Sequence, residues 1–373
     1  MAPDRLTGPA VSAAGLVKSF GDVHAVDGVD LEVARGTVQG LLGPNGAGKT
    51  TVVRMLATLL LPDGGRAEVL GFDIVTDANE VRRRIALTGQ FAAVDEILTG
   101  RENLRMFGRL MHLERSVVKS RADELLERFD PMHAADRPAK TYSGGMRRRL
   151  DLASSMLGRP EVLFLDEPTT GLDPRSRNSI WAAVREMVGD GTTVFLTTQY
   201  LEEADQLADR IAVIDRGKVV AEGTESELKD QVGGQMLEIR LANDEDRERA
   251  AGALDGLGCG EPQRTEERGM LAVQAPVDGV GMVAEAARVL KQAEIQVSEL
   301  GLRRPTLDDV FLELTGEPAG AQAGEAVGPN GDVADPRDTG EWELDGGDGD
   351  GTQAVSGDGS EDGAARARVG ADE

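Results

Sequence analysis

The stretch GPNGAGKT, Gly43 to Thr50, limits what this chain can fold into more than any other. It fits G-x-x-x-x-G-K-[ST], follows the apolar run TVQGLL and precedes TVVRMLATLL, so a strand should turn tightly through a glycine loop into a helix. Glycines let successive backbone N–H groups converge on an anion, and the helix N-terminus adds positive potential. Gly43, Pro44, Asn45, Gly46, Ala47 and Gly48 form the cradle, with Thr51 just beyond it. Lys49 is placed to reach terminal phosphates, and Thr50 to offer its hydroxyl to Mg²⁺.

A second stretch, EVLFLDEP at 161–168, delivers Asp166 and Glu167 at the end of an apolar run. In an open parallel sheet, ligands sit at the carboxyl edge of the strands. A carboxylate there can hold Mg²⁺ through its water, and a neighbour one residue on can orient an attacking water. Asp166 is accordingly read as a metal residue and Glu167 as the general base.

The runs VQGLL, IALTG, VLFLD, TVFLTT and RIAVID between residues 13 and about 225 alternate with amphipathic stretches. Such a pattern gives an α/β fold with a mostly parallel sheet covered on both faces. From 235 to 316 the pattern changes to short strands and helices, MLEIRLA, NDEDRERAAGALDGL, GMLAVQAP, VGMVAEAARVLKQA and IQVSELGLR, which suits a small α+β domain joined through DQVGGQ. The first twelve residues are expected to be flexible. Residues 317–373 carry fifteen acidic residues, three arginines and thirteen glycines, so they are expected to form a disordered, solubilising tail.

The net charge of −25 argues against a chain that holds nucleic acid by bulk positive charge. No window reaches the roughly 18 to 20 apolar residues that a membrane span needs. MAPDRLTGPAVSAAG lacks the basic and long apolar regions of an export leader, and the single cysteine, Cys259, cannot form an intrachain disulfide.

KTYSGGMRRRLDLASSM, 140–156, places Ser143, Gly144 and Gly145 at the start of an amphipathic helix, 23 residues before Asp166. Alone this is a plain helix cap. Beside a phosphate loop it offers a second anion site, with bare N–H groups and little side-chain bulk.

Taken together these motifs make the chain resemble an ABC-type ATP-binding subunit over residues 13–230. GPNGAGKTT resembles Walker A, TYSGGM the LSGGQ-like signature, VLFLDE Walker B and TTGLD the D-loop. Gln90, in LTGQFAAVDEILTGREN, matches the Q-loop and so adds a metal contact. Phe20 matches the aromatic that stacks on adenine, against the alternative of simple packing. The sequence between motifs, through about residue 316, is most similar to the daunorubicin and doxorubicin resistance ATP-binding subunits.

The resemblance implies a P-loop NTPase of the ABC type with an antiparallel part and a helical signature subdomain at about 91–160. It implies ATP and Mg²⁺, hydrolysis to ADP and phosphate, and a head-to-tail homodimer in which each ATP lies between one Walker A and the other copy's signature. It further implies a separately encoded permease, contacted after Gln90 by Phe91, Asp95 and Glu96, a place on the cytoplasmic side of the membrane, no nucleic acid, and export of a hydrophobic drug. One departure stands out: Gln199, after TVFLTT, occupies the switch position where the family usually has histidine. An amide can donate to the γ-phosphate but cannot take up charge, so Gln199 is read as a phosphate sensor. The other readings are an ABC ATPase acting on ribosomes or DNA, which lacks its usual second ATP domain or coiled coil here, and a nucleotide-gated regulator without turnover.

Overall fold

The computed structural model describes residues 8–90, 92–129, 134–232, 235–257, 263–264, 270–275 and 280–315. The chain divides into two units, Met1–Gly324 and Glu325–Glu373. The second unit, with all of the expected tail at 317–373, lies outside the described residues, as do Phe91 and Cys259.

Strands β1 (Val11–Phe20) and β2 (Val23–Val33) form an antiparallel hairpin. Ala10 and Val11 are fully buried, so order begins inside the segment 1–12 that was expected to be flexible. Apolar side chains at the first residues of β1 pair with Val33 and Val69, which fixes them. Next come β3 (Val38–Leu42), α1 (Lys49–Leu56), β4 (Gly64–Val69) and β5 (Phe72–Asp73). The order β2-β1-β4-β5 makes a wholly antiparallel sheet.

The chain continues through α2 (Ala78–Arg82), β6 (Ile85–Thr88), α3 (Gly100–Leu110), α4 (Arg115–Arg128) and α5 (Gly144–Ser155). It then alternates through β7 (Val162–Asp166), α6 (Pro174–Gly189), β8 (Thr193–Thr198), α7 (Leu201–Leu207), β9 (Arg210–Asp215), β10 (Lys218–Gly223) and α8 (Glu225–Val232). Six strands align as β10-β9-β3-β8-β7-β6, all parallel except β10.

This sheet divides two cores. Phe164 and Phe195, with ring centroids 5.8 Å apart, join α1 and the antiparallel sheet in one cluster. Leu163, Leu165, Val194 and Leu196, on the opposite face of the same strands, pack among α4, α5 and α6. Strands buried on both faces must read as continuous apolar runs, which is why VLFLD and TVFLTT show no alternation. The consequence for the site is positional. The carboxyl ends of β3, β7 and β8 lie side by side, so the loop after Leu42, the pair Asp166–Glu167 and Gln199 emerge on one edge.

The rest of the described chain is β11 (Gln235–Leu241), α9 (Arg247–Leu254), β12 (Gln263–Arg264), β13 (Met270–Ala275), α10 (Val280–Gln292), β14 (Val297–Arg303) and α11 (Leu307–Thr315). An antiparallel sheet, β12-β13-β11-β14, packs with α9 and α10 around Leu237, Ile239, Leu271, Ala286 and Leu290. The last helix departs from this core. Leu307, Val310 and Phe311 of α11 bury against Leu42, Leu201, Ala204 and Leu228, so the expected region 235–316 divides its packing between two cores.

A charged clasp holds that return. Thr306 and Asp309 cap α11 reciprocally, with Thr306 N donating to Asp309 Oδ2 at 2.7 Å and Asp309 N to Thr306 Oγ1 at 3.4 Å. Arg303 Nη2 donates to Asp309 Oδ1 at 3.0 Å and Nε to Glu238 Oε1 at 2.7 Å, tying β11, β14 and α11 together. The Asp309 carboxylate holds the Arg303 guanidinium above its ordinary pKa. Removing it should unsettle the helix start and leave Arg303 half-satisfied. Asp309→Ala should cost about 2 kcal/mol in urea unfolding, and hydrogen exchange at 307–315 should accelerate before that of β7.

Candidate functional site

The loop after β3 has a shape that two glycines make possible. A Cβ at Gly43 would lie 2.3 Å from the Ile214 carbonyl oxygen, and one at Gly48, whose φ is 105°, would lie 2.3 Å from that of Ala25. Neither place admits a side chain. The loop therefore nests against β2 and β9, and Gly43 N donates to Thr198 O of β8 at 3.2 Å. Ala25, Asn45, Gly46, Gly48, Lys49, Thr50, Thr51, Gln90 and Glu167 line a cavity of about 210 Å³ at this point.

Lys49 is buried at the floor of the loop. Its Nζ donates to the carbonyls of Gly43 and Pro44 at 2.8 and 2.9 Å and pairs with Glu167 Oε1 at 3.2 Å. Burial pushes the ammonium below its ordinary pKa, against the pull of Glu167 and Asp166. Glu167 has φ 47°, in the left-handed region that a non-glycine residue occupies at a cost of about 1–3 kcal/mol. That turn swings its carboxylate out of line with β7 and toward the loop, where Oε2 also accepts from Thr170 Oγ1 at 3.3 Å.

Asp166 Oδ1 accepts from Thr50 Oγ1 at 3.2 Å and from Thr197 Oγ1 at 2.6 Å. Thr197 also accepts the Glu167 N–H at 3.1 Å, so one hydroxyl on the neighbouring strand positions both acids. Sequence reasoning missed it. The run TVFLTT showed two threonines at a strand end, but only the pairing of Asp166 opposite Thr197 gives one of them this task. Ala25, which lines the cavity from β2, had no local signal either.

The other sequence-selected residues do not all join this centre. Gln90 lines the cavity. Gln199 is half-buried between Thr198, which takes the Tyr200 N–H at 2.9 Å, and Tyr200, whose ring carries Arg177 4.8 Å above it. Phe20 is 52% exposed beside Lys18 and does not line the cavity. Ser143 caps α5, accepting Met146 N at 3.3 Å, and is exposed with Gly144. Gly145 is buried, because a Cβ there would meet Ser176 Oγ at 2.3 Å. None of these three lines the cavity around Lys49.

Residues 26–170 match the family model described as ABC transporter. The chain is 56% identical to the daunorubicin resistance ATP-binding protein DrrA2 of Streptomyces coeruleorubidus, over 83% of this chain and 96% of that protein. The chain belongs to the ABC transporter ATP-binding proteins. It is also 51% identical to the daunorubicin/doxorubicin resistance ATP-binding protein DrrA of Streptomyces peucetius, over 87% of this chain and 98% of that one. Among solved structures, the ADP conformation of an ATP-binding cassette of an ABC transporter is 27% identical, with a TM-score of 0.54, covering 59% of this chain and 93% of that one.

ABC ATP-binding proteins bind ATP, hydrolyse it to drive transport, dimerise, and act with a transmembrane subunit. Among the described residues of this ABC protein, no helix is long and apolar enough to cross a membrane. Its donor set suits Mg²⁺: the Thr50 hydroxyl, the Asp166 carboxylate and the Gln90 amide are all hard oxygens. Among the described residues no group of three His, Cys, Asp or Glu could enclose a metal by itself. Mg²⁺ held by one or two protein oxygens and substrate phosphates has no need of one.

A buried acid of this ABC protein lies on the helix that follows Gln199. Glu203 on α7 is fully buried, accepts from Trp181 Nε1 at 3.2 Å, and is pushed above its ordinary pKa by burial. The folded state thus keeps a proton that the unfolded chain releases from about pH 4.5 upward, so this group lowers stability as pH rises through that window. Glu203→Gln keeps the acceptor without the charge. In urea unfolding its advantage over the native chain should grow as pH rises from 4.5 and then level off; a gap that stays constant with pH would contradict the buried-acid assignment.

Proposed function

We propose that this chain is the ATPase of a drug exporter, working as a head-to-tail homodimer on a separately encoded permease at the cytoplasmic face of the membrane. The observation that carries the reading is the meeting of Lys49, Thr50 and Glu167 at one cavity, with Asp166 hydrogen-bonded to Thr50 and the Ser143 helix tip exposed elsewhere. One copy supplies the phosphate loop and acids, and the exposed Ser143, Gly144 and Gly145 supply N–H donors to the other copy's nucleotide. Two copies complete two equivalent sites.

In this reading the backbone N–H groups of Gly43 to Thr50 take the phosphates, and Lys49 shifts part of its bonding from the Gly43 and Pro44 carbonyls to phosphate oxygen. Thr50, Asp166 and Gln90 would hold Mg²⁺, which when bound supplies charge neutralisation to the phosphate chain. Glu167 orients a water for in-line attack and accepts its proton; the new P–O bond forms as the bond to the ADP oxygen breaks. Gln199 donates an N–H to the γ-phosphate and stays neutral throughout. Phe20, exposed at the end of β1, stacks on adenine.

The permease contact is assigned to the segment after Gln90. There Asp95 Oδ1 accepts Ile97 N at 2.8 Å, Glu96 pairs with Arg147 at 3.1 Å, and Ile97 is 82% exposed. The region 235–316 is assigned an accessory role, steadying the dimer or the permease. The daunorubicin and doxorubicin resistance relatives motivate a hydrophobic drug as cargo.

Two substitutions test the chemistry. Glu167→Gln should keep ATP affinity and slow phosphate release by roughly 10²- to 10⁴-fold; native turnover would remove Glu167 as base. Gln199→His should introduce a rate dependence on pH near about 6 to 7, absent from the native enzyme. Superimposable pH profiles of the two proteins would deny Gln199 its place at the phosphate.

A further inference from the structure

A buried ion pair on α5 joins three parts of the site that the reaction must keep in register. Arg148 and Asp151 are 5% and 6% exposed and pair at 3.3 Å, one helical turn beyond the Ser143 cap. Arg148 Nε donates to Pro168 O at 2.8 Å, the residue after Glu167. Its Nη1 donates to Gly89 O, the residue before Gln90. Asp151 Oδ1 accepts Ala93 N at 3.0 Å, three residues after Gln90. The backbone is thus gripped on both sides of Gln90 and immediately beyond Glu167.

Such a pair is expensive to bury. Burial pushes the Arg148 guanidinium down and the Asp151 carboxyl up from their ordinary values. A buried ion pair adds little to stability over apolar residues of the same volume, so placing one here calls for another reason. The geometry supplies it: a planar fork can hold two carbonyls from different segments in a fixed relation, which a lysine cannot. Nη2 is buried with no hydrogen-bond partner among the described residues, which leaves the fork a donor for a carbonyl that shifts. The other polar tie from this helix to the same loop, Arg147 to Glu96, is solvent-exposed and of little energetic weight.

We propose that Arg148, braced by Asp151, is a positioning residue that couples the signature helix to Gln90 and Glu167. Displacement of the Ser143 tip then moves the metal-side amide and the base together. The proposal rests on the assignment of Gln90 to the metal and Glu167 to the base, and it touches neither phosphate nor water directly. Side chains that hold the groups around a metal or a base in place typically contribute about 10- to 100-fold in activity or metal affinity.

The test uses the purified full chain. Arg148→Lys keeps the charge and loses the fork; Asp151→Asn keeps an acceptor for Ala93 N and loses the charge. Four quantities are measured: the ATP dissociation constant without Mg²⁺, turnover, the Mg²⁺ concentration giving half-maximal turnover, and the melting temperature. Arg148→Lys should leave the Mg²⁺-free constant within about twofold, lower turnover at least about tenfold, and raise the Mg²⁺ midpoint several-fold, with Asp151→Asn following the same pattern more weakly. Native turnover and Mg²⁺ midpoint in both variants overturn the proposal. So does a loss in which affinity, turnover and melting temperature fall together at an unchanged Mg²⁺ midpoint, which marks a merely structural pair. Should Arg148→Lys not fold, Asp151→Asn decides by the same criteria. Glu167→Gln, measured alongside, separates the two claims: if it turns over normally, the site assignment fails whatever Arg148 does.

Discussion

A buried ammonium needs partners, and Lys49 organises the site by needing them. With its amine out of water, the side chain must find acceptors within about 3 Å, or the loop loses more than its glycines gain. It finds the two carbonyls that open the loop and the carboxylate of Glu167. That arrangement requires β3 and β7 to end at the same level, with β8 between them to supply Thr197 and Thr198. The strained turn at Glu167 is tolerated for the same reason, since relaxing it would withdraw the partner that the lysine requires.

Much of the central architecture was legible because parallel strands covered on both faces must be continuously apolar. VQGLL, VLFLD, TVFLTT and RIAVID became β3, β7, β8 and β9 with little change, and IALTG lost only its glycine from β6. The loop and the two acids were legible because their chemistry fixes residue types at fixed spacing. What stayed hidden depends on which strands become neighbours. Thr197 gained its task only from lying opposite Asp166, and Ala25 only from the hairpin folding over the loop. The pairing of Arg148 with Asp151 reads in the sequence as part of a charged stripe, because three consecutive arginines and a nearby acid suggest a solvated helix face. The structure buries one arginine of the three and nearly all of that acid.

Gln199 and Phe20 both lie apart from the Lys49 cavity lining. Gln199 is framed by the bond from the Tyr200 N–H to the Thr198 hydroxyl and by the Arg177–Tyr200 stack. The frame fixes the position of the segment independently of which side chain it presents. Phe20 sits at the open end of a hairpin, where an aromatic ring half in solvent is available to a flat partner.

The return of α11 to the nucleotide-side core has an evolutionary corollary. Leu307, Val310 and Phe311 cover apolar surface on α7 and α8, so the residues after 235 are not a detachable appendage. Exchange of these regions between related genes would succeed only where the incoming helix fits the groove left by Leu201, Ala204 and Leu228. Drift in that groove and drift in the final helix are therefore bound to one another, although some hundred positions of sequence separate them.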